Sequence, residues 1–256
     1  MGISMVVTVP STLVLAAYVA CRDSVPPYIS YPLLQASLVG FAAAVSAYPA
    51  VNYTALFGKT SEGSFPWWSY TAFYPYLLTL RGYVILRRLK SKEPVYTEIK
   101  NGLFVGGWPW LQADVPPGSP AVVDCTCELP RSSSALPLPY LCIPTWDTRG
   151  PRPSDIELAV RWAVKRRSQN LPVYVHCAFG HGRSVTVMCA LLVALGEVAT
   201  WEDAEVLIKS LRPRARLNKQ QRESLLQWSK SWGSKHRACA DDQRILFVEF
   251  WKRAFQ

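Results

Sequence analysis

The chain has 256 residues, half of them apolar, with 28 Lys and Arg against 18 Asp and Glu for a formal net charge of +10; that length holds one large domain or a smaller one with an appendage. Seven cysteines, an odd number with no zinc-like spacing beside histidines, argue against a secreted disulfide scaffold. The basic excess comes without a recognisable nucleic-acid-binding motif and gathers at 81–92 and 212–219, which points to an anionic membrane surface or a phosphorylated substrate, not nucleic acid.

Charge is distributed unevenly along the chain. The stretches 3–21, 24–58 and 63–80 contain no charged residue, and each holds roughly 20 residues, enough to cross a bilayer. The expectation is about three transmembrane helices, near 3–21, 31–57 and 65–86, with the prolines tolerated where neighbouring helices satisfy the freed backbone groups and Trp67, Trp68, Tyr70, Tyr74 and Tyr76 at the interface. A cleaved secretory signal is a poor alternative, because residues 1–7 carry no Lys or Arg. Arg81, Arg87, Arg88, Lys90 and Lys92 crowd the end of the third segment, so a multi-pass membrane protein with its remaining chain cytoplasmic is expected.

From Val95 onward the pattern is that of an α/β domain extending over 95–233. LFVGG (103–107), AVVDCTC (121–127), YLCIP (140–144) and PVYVHC (172–177) are short apolar runs bounded by turn-forming residues, as buried strands are. SDIE (154–157) after Pro153 resembles a capping box, and Ile156, Ala159, Val160 and Ala163 recur at helical spacing behind it. Thr200 with Asp203, and Asn218 with Gln221, mark two further helix starts. Such alternation predicts a central mixed or mainly parallel sheet flanked by helices. RILFVEFWKRAF (244–255) gives the segment 234–256 the character of an amphipathic tail.

Between the last strand and a second apolar run lies HCAFGHGRS, residues 176–184. A strand ending at Cys177 and a helix starting near Ser184 leave a curled backbone whose N–H groups converge at the positive end of the helix, a site for a dianion. Gly180 and Gly182 permit unusual backbone angles, and Arg183 offers a planar fork that matches two phosphoryl oxygens. The same surroundings favour a Cys177 thiolate able to attack phosphorus, and a nucleophilic thiol requires a reducing compartment.

This C-x5-R-[ST] stretch resembles the phosphate loop of the cysteine-dependent protein tyrosine phosphatase superfamily, and the short domain is similar to its dual-specificity branch over roughly 96–232. NGLFVGG, AVVDCTCE and RPRARLNKQQ resemble that branch's opening strand, second strand and basic segment before the final helix. The resemblance implies a two-step mechanism through phosphocysteine, with no metal or cofactor. It makes Cys177 the nucleophile, Arg183 the phosphate clamp, Ser184 the hydrogen-bond donor to the sulfur, and His176 the residue that orients the loop. Ala178, Phe179, Gly180, His181 and Gly182 then line the phosphate site. A general acid is needed for the leaving oxygen, and Asp147, in PTWDTRGPRP thirty positions before Cys177, is the choice over Asp155, which has a helix-capping task, and Asp124, which lies in a strand.

Phe179 makes the loop's rim bulkier and more apolar than is usual for the family, and a protonated His181 would add charge there. Arg149 and Arg152 are candidates for attracting anionic substrate. The leading expectation is a membrane-anchored dual-specificity protein phosphatase acting on phosphorylated Tyr, Ser or Thr. The alternative is a lipid phosphatase working on a phosphoinositide or another phospholipid head group, which the preceding membrane segments and the basic residues favour. A catalytically inactive phospho-binding module ranks third.

Overall fold

The computed structural model describes residues 2–233; the expected C-terminal tail, 234–256, lies outside the described residues. Three long helices come first, α1 (Ile3–Cys21), α2 (Pro27–Ser46) and α3 (Trp67–Leu89). They are followed by β1 (Tyr96–Lys100), β2 (Leu103–Gly106), β3 (Ala121–Asp124), β4 (Tyr140–Cys142), α4 (Pro153–Arg167), β5 (Val173–His176), α5 (Arg183–Ala194) and α6 (Trp201–Leu211). A further helix, α7, runs through 219–233.

Helices α1 and α2 form an antiparallel hairpin held by small residues. Ser37 Oγ donates to the Ser11 carbonyl at 3.0 Å and Ser4 Oγ to that of Ala44 at 2.8 Å, while a Cβ on Gly40 would meet Ser11 Oγ at 2.0 Å. Close approach through small residues with hydroxyl-to-carbonyl bonds is how helices associate in lipid. Their outer faces expose Met5, Val9, Leu13, Val19, Tyr31 and Leu38.

Only these two of the described helices are long and apolar enough to be candidate membrane spans, where the sequence suggested about three. The second ends at Ser46, not near 57, and the third expected segment, within α3, does not meet that length-and-apolarity criterion. Leu77 and Val84 of α3 are buried against the α/β domain, and the Arg88 guanidinium donates to the Trp108 carbonyl and lies 3.3 Å from Asp114 Oδ2. Its opposite side exposes Trp67, Tyr74, Leu78, Leu86 and Leu89. A charge-free window from 63 to 80 met the criterion of composition, but α3 runs on to Leu89 through Arg81, Arg87 and Arg88, the last of them seated on the α/β domain.

Residues 47–66, between α2 and α3, fold onto the α/β domain. Phe57 is fully buried, and Lys59 reaches inside to Asp124. Packing therefore crosses the covalent division near residue 93.

The sheet has the order β1-β2-β5-β3-β4, with β1 antiparallel to β2 and the other pairs parallel. This agrees with the mixed sheet expected, apart from β1, an edge strand the apolar pattern did not reveal. Asn101 and Gly102, both at positive φ (40° and 79°), make the turn that joins it to β2. Leu103, Val105, Ala121, Val123, Val173 and Val175 face a core shared with α4, α5 and α6, while Phe104, Val122 and Tyr174 on the other face are also buried. Residues 183–192 of α5 are all buried, which makes it the central helix of the domain.

Helix starts follow local chemistry with one correction. Thr200 Oγ1 accepts from the Asp203 amide at 3.1 Å, and Asn218 Oδ1 from that of Gln221 at 3.0 Å, the caps expected. The SDIE capping box does not form: α4 starts at Pro153 with Arg152 as its N-cap, so Ser154 falls inside the first turn. Proline's fixed φ suits the first helical position, so the helix opens there. Asp155 instead pairs with Arg152 at 3.0 Å.

Candidate active site

The candidate phosphate loop leaves the carboxyl end of β5, the middle strand of the sheet, and enters α5. Ligands of α/β sheets collect at this end. Each carbonyl of the loop is drawn outward by a donor elsewhere. That of Ala178 accepts from the Trp108 amide (3.2 Å), that of Phe179 from Arg212 Nη2 (2.9 Å), that of Gly180 from Arg212 Nε (3.0 Å), and that of His181 from the Arg216 amide (2.9 Å). With the carbonyls tied back, the loop's amides are left to converge on the Cys177 side. Gly180 sits at φ 78°, where a Cβ would lie 2.5 Å from the Gly106 carbonyl carbon, so no other residue fits.

Cys177 Sγ accepts from the Gly180 amide and from Ser184 Oγ, both at 3.3 Å. Burial resists ionisation of this thiol, but the Arg183 charge and the hydrogen bonds from Ser184 and Gly180 outweigh it, and its pKa falls below the ordinary cysteine value. The other buried thiols move the opposite way. Burial pushes Cys142 up to about 11 and holds Cys125 and Cys127 well above their usual range.

Arg183 is buried and held as a fork by Glu128, Nη1 to Oε2 at 3.0 Å and Nη2 to Oε1 at 2.8 Å, with Nη1 also donating to the Thr145 carbonyl at 2.7 Å. Its buried Nε has no hydrogen-bond partner among the described residues. A buried donor without an acceptor costs free energy until one arrives, and a phosphoryl oxygen is such an acceptor. Asp147 Oδ1 stands 3.3 Å from Arg183 Nη2 with its side chain half exposed, so the sequence-expected acid and clamp do meet. That places the Asp147 carboxyl beside the candidate phosphate site, where a general acid must stand to reach the leaving oxygen.

His176 is buried, and burial lowers its pKa despite the nearby Asp124 carboxylate, so the ring is neutral at pH 7. Its Nδ1 lies 3.4 Å from the Cys177 carbonyl. That geometry fits a role in orienting the loop. Asp124 behind it is structural: Lys59 Nζ donates to it at 2.7 Å, Tyr140 Oη at 2.6 Å, and the Thr126 amide and hydroxyl at 2.8 and 2.7 Å. Asp155 faces Arg152, away from this group of residues.

The rim differs from expectation in two respects. His181 Nε2 is 2.6 Å from Glu93 Oε2, and burial lowers its pKa in spite of that carboxylate, so it supplies no cation to the site at neutral pH. Arg149 is buried with its guanidinium on the Ala47 carbonyl and on Gln220, so it does not attract substrate. Phe179 is clamped by α3: the Tyr83 ring meets it edge-on at 6.0 Å, and the Arg87 guanidinium lies 4.4 Å above its face. Tyr76, about two turns before Tyr83 on α3, is pushed well above its usual pKa by burial first and then by Glu128, Cys127 and Asp147. Helix α3 therefore forms one wall of the site. An open groove lined by Arg87, His181, Lys209, Arg214 and Arg216 continues from it.

Sequence reasoning missed Glu128, Lys59, Arg212 and Tyr76. Glu128 left a trace as a charge closing an apolar strand, a position that demands a partner, and Arg212 as the first residue of the basic segment 212–219.

A family model described as "Dual specificity phosphatase, catalytic domain" matches residues 120–231. The protein named phosphatidylglycerophosphate phosphatase PTPMT2, from Arabidopsis thaliana, is 32% identical over 172 residues, covering 62% of this chain and 72% of its own. Among solved structures, PTPMT1 in complex with PI(5)P superposes with a TM-score of 0.50 at 22% identity, covering 56% of this chain and 99% of its own. A variant of human DUSP28 gives 0.51 at 19% over 56% and 99%. The two structures agree in fold, and the Arabidopsis relative agrees in sequence. The chain belongs to the dual-specificity branch of the cysteine-dependent protein tyrosine phosphatase superfamily and is a cysteine-based phosphatase.

Proposed function

We propose that the protein removes a terminal phosphate from a phospholipid head group at the bilayer surface, with phosphatidylglycerophosphate, the substrate in the Arabidopsis relative's name, as first candidate. The observation that carries the lipid reading over the protein-phosphatase reading is the position of α3. One flank of this helix walls the catalytic loop through Tyr76, Tyr83 and Arg87, while its far side presents Trp67, Tyr74, Leu78, Leu86 and Leu89 beside two candidate membrane spans. A helix with such an apolar face and basic flanks lies in the interface plane. The mouth of the site then opens at head-group height, where lipid substrate is concentrated.

In the proposed reaction the Cys177 thiolate attacks phosphorus and the P–O ester bond breaks. Asp147 protonates the departing alkoxide, while Arg183 and the loop amides hold the equatorial oxygens. Water then attacks phosphocysteine, Asp147 accepts its proton, the S–P bond breaks, and the Ser184 hydroxyl stabilises the returning thiolate. The catalytic domain lies on the side that holds the basic end of α3, the cytoplasmic side by charge asymmetry. Full-length protein in phospholipid nanodiscs is expected to release phosphate from phosphatidylglycerophosphate far faster than from phosphotyrosine or phosphothreonine peptides. Preference for peptides would restore the protein-phosphatase reading.

A further inference from the structure

The loop that carries Asp147 is tied to the foot of the membrane hairpin on both sides of the acid. Just before it, the Trp146 indole donates to the Tyr53 carbonyl at 3.1 Å, and its fully buried ring packs 5.5 Å from that of Phe57. Just after it, the Ile3 amide donates to Thr148 Oγ1 at 3.1 Å, and Arg149 donates from Nε and Nη2 to the Ala47 carbonyl at 3.2 and 2.6 Å. Ile3 opens α1, Ala47 directly follows α2, and Tyr53 lies in the segment beyond. Ala43, Ala47, Phe57, Phe65, Leu77 and Trp146 share one apolar cluster. From the opposite side, Asn218 Nδ2 holds the Thr148 carbonyl at 2.7 Å. Thr148 is kept at φ 63°, a conformation a threonine seldom adopts unless its surroundings impose it.

We infer that the foot of the α1–α2 hairpin is a positioning arm for the general acid: it fixes Asp147 beside Arg183, so proton donation to the leaving group depends on the hairpin being folded against the phosphatase domain. Trp146, Thr148 and Arg149 are positioning residues in this scheme, which rests on Asp147 being the acid. A loop held at fixed points keeps the carboxyl within reach of the leaving oxygen and removes the entropy of closing a lid at each turnover.

The test compares full-length variants in nanodiscs on p-nitrophenyl phosphate, whose leaving group departs with little protonation, and on phenyl phosphate, whose leaving group needs it. Asp147→Asn sets the scale, with about 100-fold or greater loss of kcat on phenyl phosphate and a much smaller loss on the nitrophenyl ester. Thr148→Val and Trp146→Phe are expected to lose about tenfold in kcat on phenyl phosphate and under about twofold on the nitrophenyl ester, with KM unchanged. Thr148→Ser, which keeps the acceptor, restores the parent ratio. Equal losses on both esters, or no loss on either, in the two tether variants would overturn the inference while leaving Asp147 as the acid. Equal losses in Asp147→Asn would remove both assignments.

Discussion

Lys59→Met tests whether the segment between the candidate spans and α3 belongs to the catalytic fold. The Lys59 and Asp124 side chains are 1% and 0% exposed and 2.7 Å apart, and Lys59 also donates to the Thr126 carbonyl at 2.7 Å. Removing one member of a buried pair leaves an uncompensated charge, at a cost of about 3–5 kcal/mol. For a domain of this size that corresponds to a fall of roughly 6–20 °C in Tm. Asp124 keeps its bonds from Tyr140 and Thr126, which places the expected loss toward the lower end. Lys59→Met with Asp124→Asn should recover more than half of it, since the stranded charge is gone.

The pH dependence has a definite sign. In the parent, burial would raise the Asp124 pKa, but Lys59, His176 and the hydrogen bonds outweigh it and depress it well below 3.8. Its contribution to stability is present above the unfolded value and is lost as pH falls through the folded one. In Lys59→Met burial loses its strongest opponent, the carboxyl shifts upward, and the deficit relative to the parent shrinks as pH is lowered from 7.5 to 5. Thermal unfolding in micelles, followed by reaction of a fluorogenic maleimide with the buried Cys125, Cys127 and Cys189, measures all of these. A loss below about 1 kcal/mol, the value of an exposed pair, or a double variant no more stable than the single one, would refute the argument.

Two further predictions concern the thiols. Alkylation by iodoacetate should fall on Cys177 with a midpoint below the usual thiol value of 9.0; Ser184→Ala should raise that midpoint by roughly one unit, and an unmoved midpoint would remove Ser184 from the sulfur's support. Cys21 closes α1 at the hairpin's far turn, whereas Ile3 and Ala47 both meet the acid loop. A membrane-impermeant maleimide should therefore reach Cys21 only from the face opposite the catalytic domain, and labelling from the same face would rule out a spanning hairpin.

Strands β2, β3 and β5 were legible because they are fully buried and read as short apolar runs, and β4 by the same kind of run although it is only partly buried. The phosphate loop was legible because its chemistry needs Cys177, Gly180, Arg183 and Ser184 at fixed spacing. β1 escaped because YTEIK, an edge strand with one buried residue, carries no such run; its signal was the Asn101–Gly102 pair, a hairpin turn whose φ values exclude most residues. Window composition hid the character of α3, since it counts charges without asking which flank they occupy. Lys59 and Glu128 pair with residues 65 and 55 positions away. No local pattern encodes partners at that distance, so the site's supporting residues become visible only once the chain is folded.

Arg88, Lys59 and the foot of the hairpin join the first ninety residues to the phosphatase fold through its interior as well as through the peptide chain. A proteolytic nick at 90–95, the covalent bridge between the two parts, would therefore release no soluble catalytic fragment. The severed halves would stay docked, so cutting the chain there is closed to this enzyme as a means of parting its phosphatase domain from the two candidate spans.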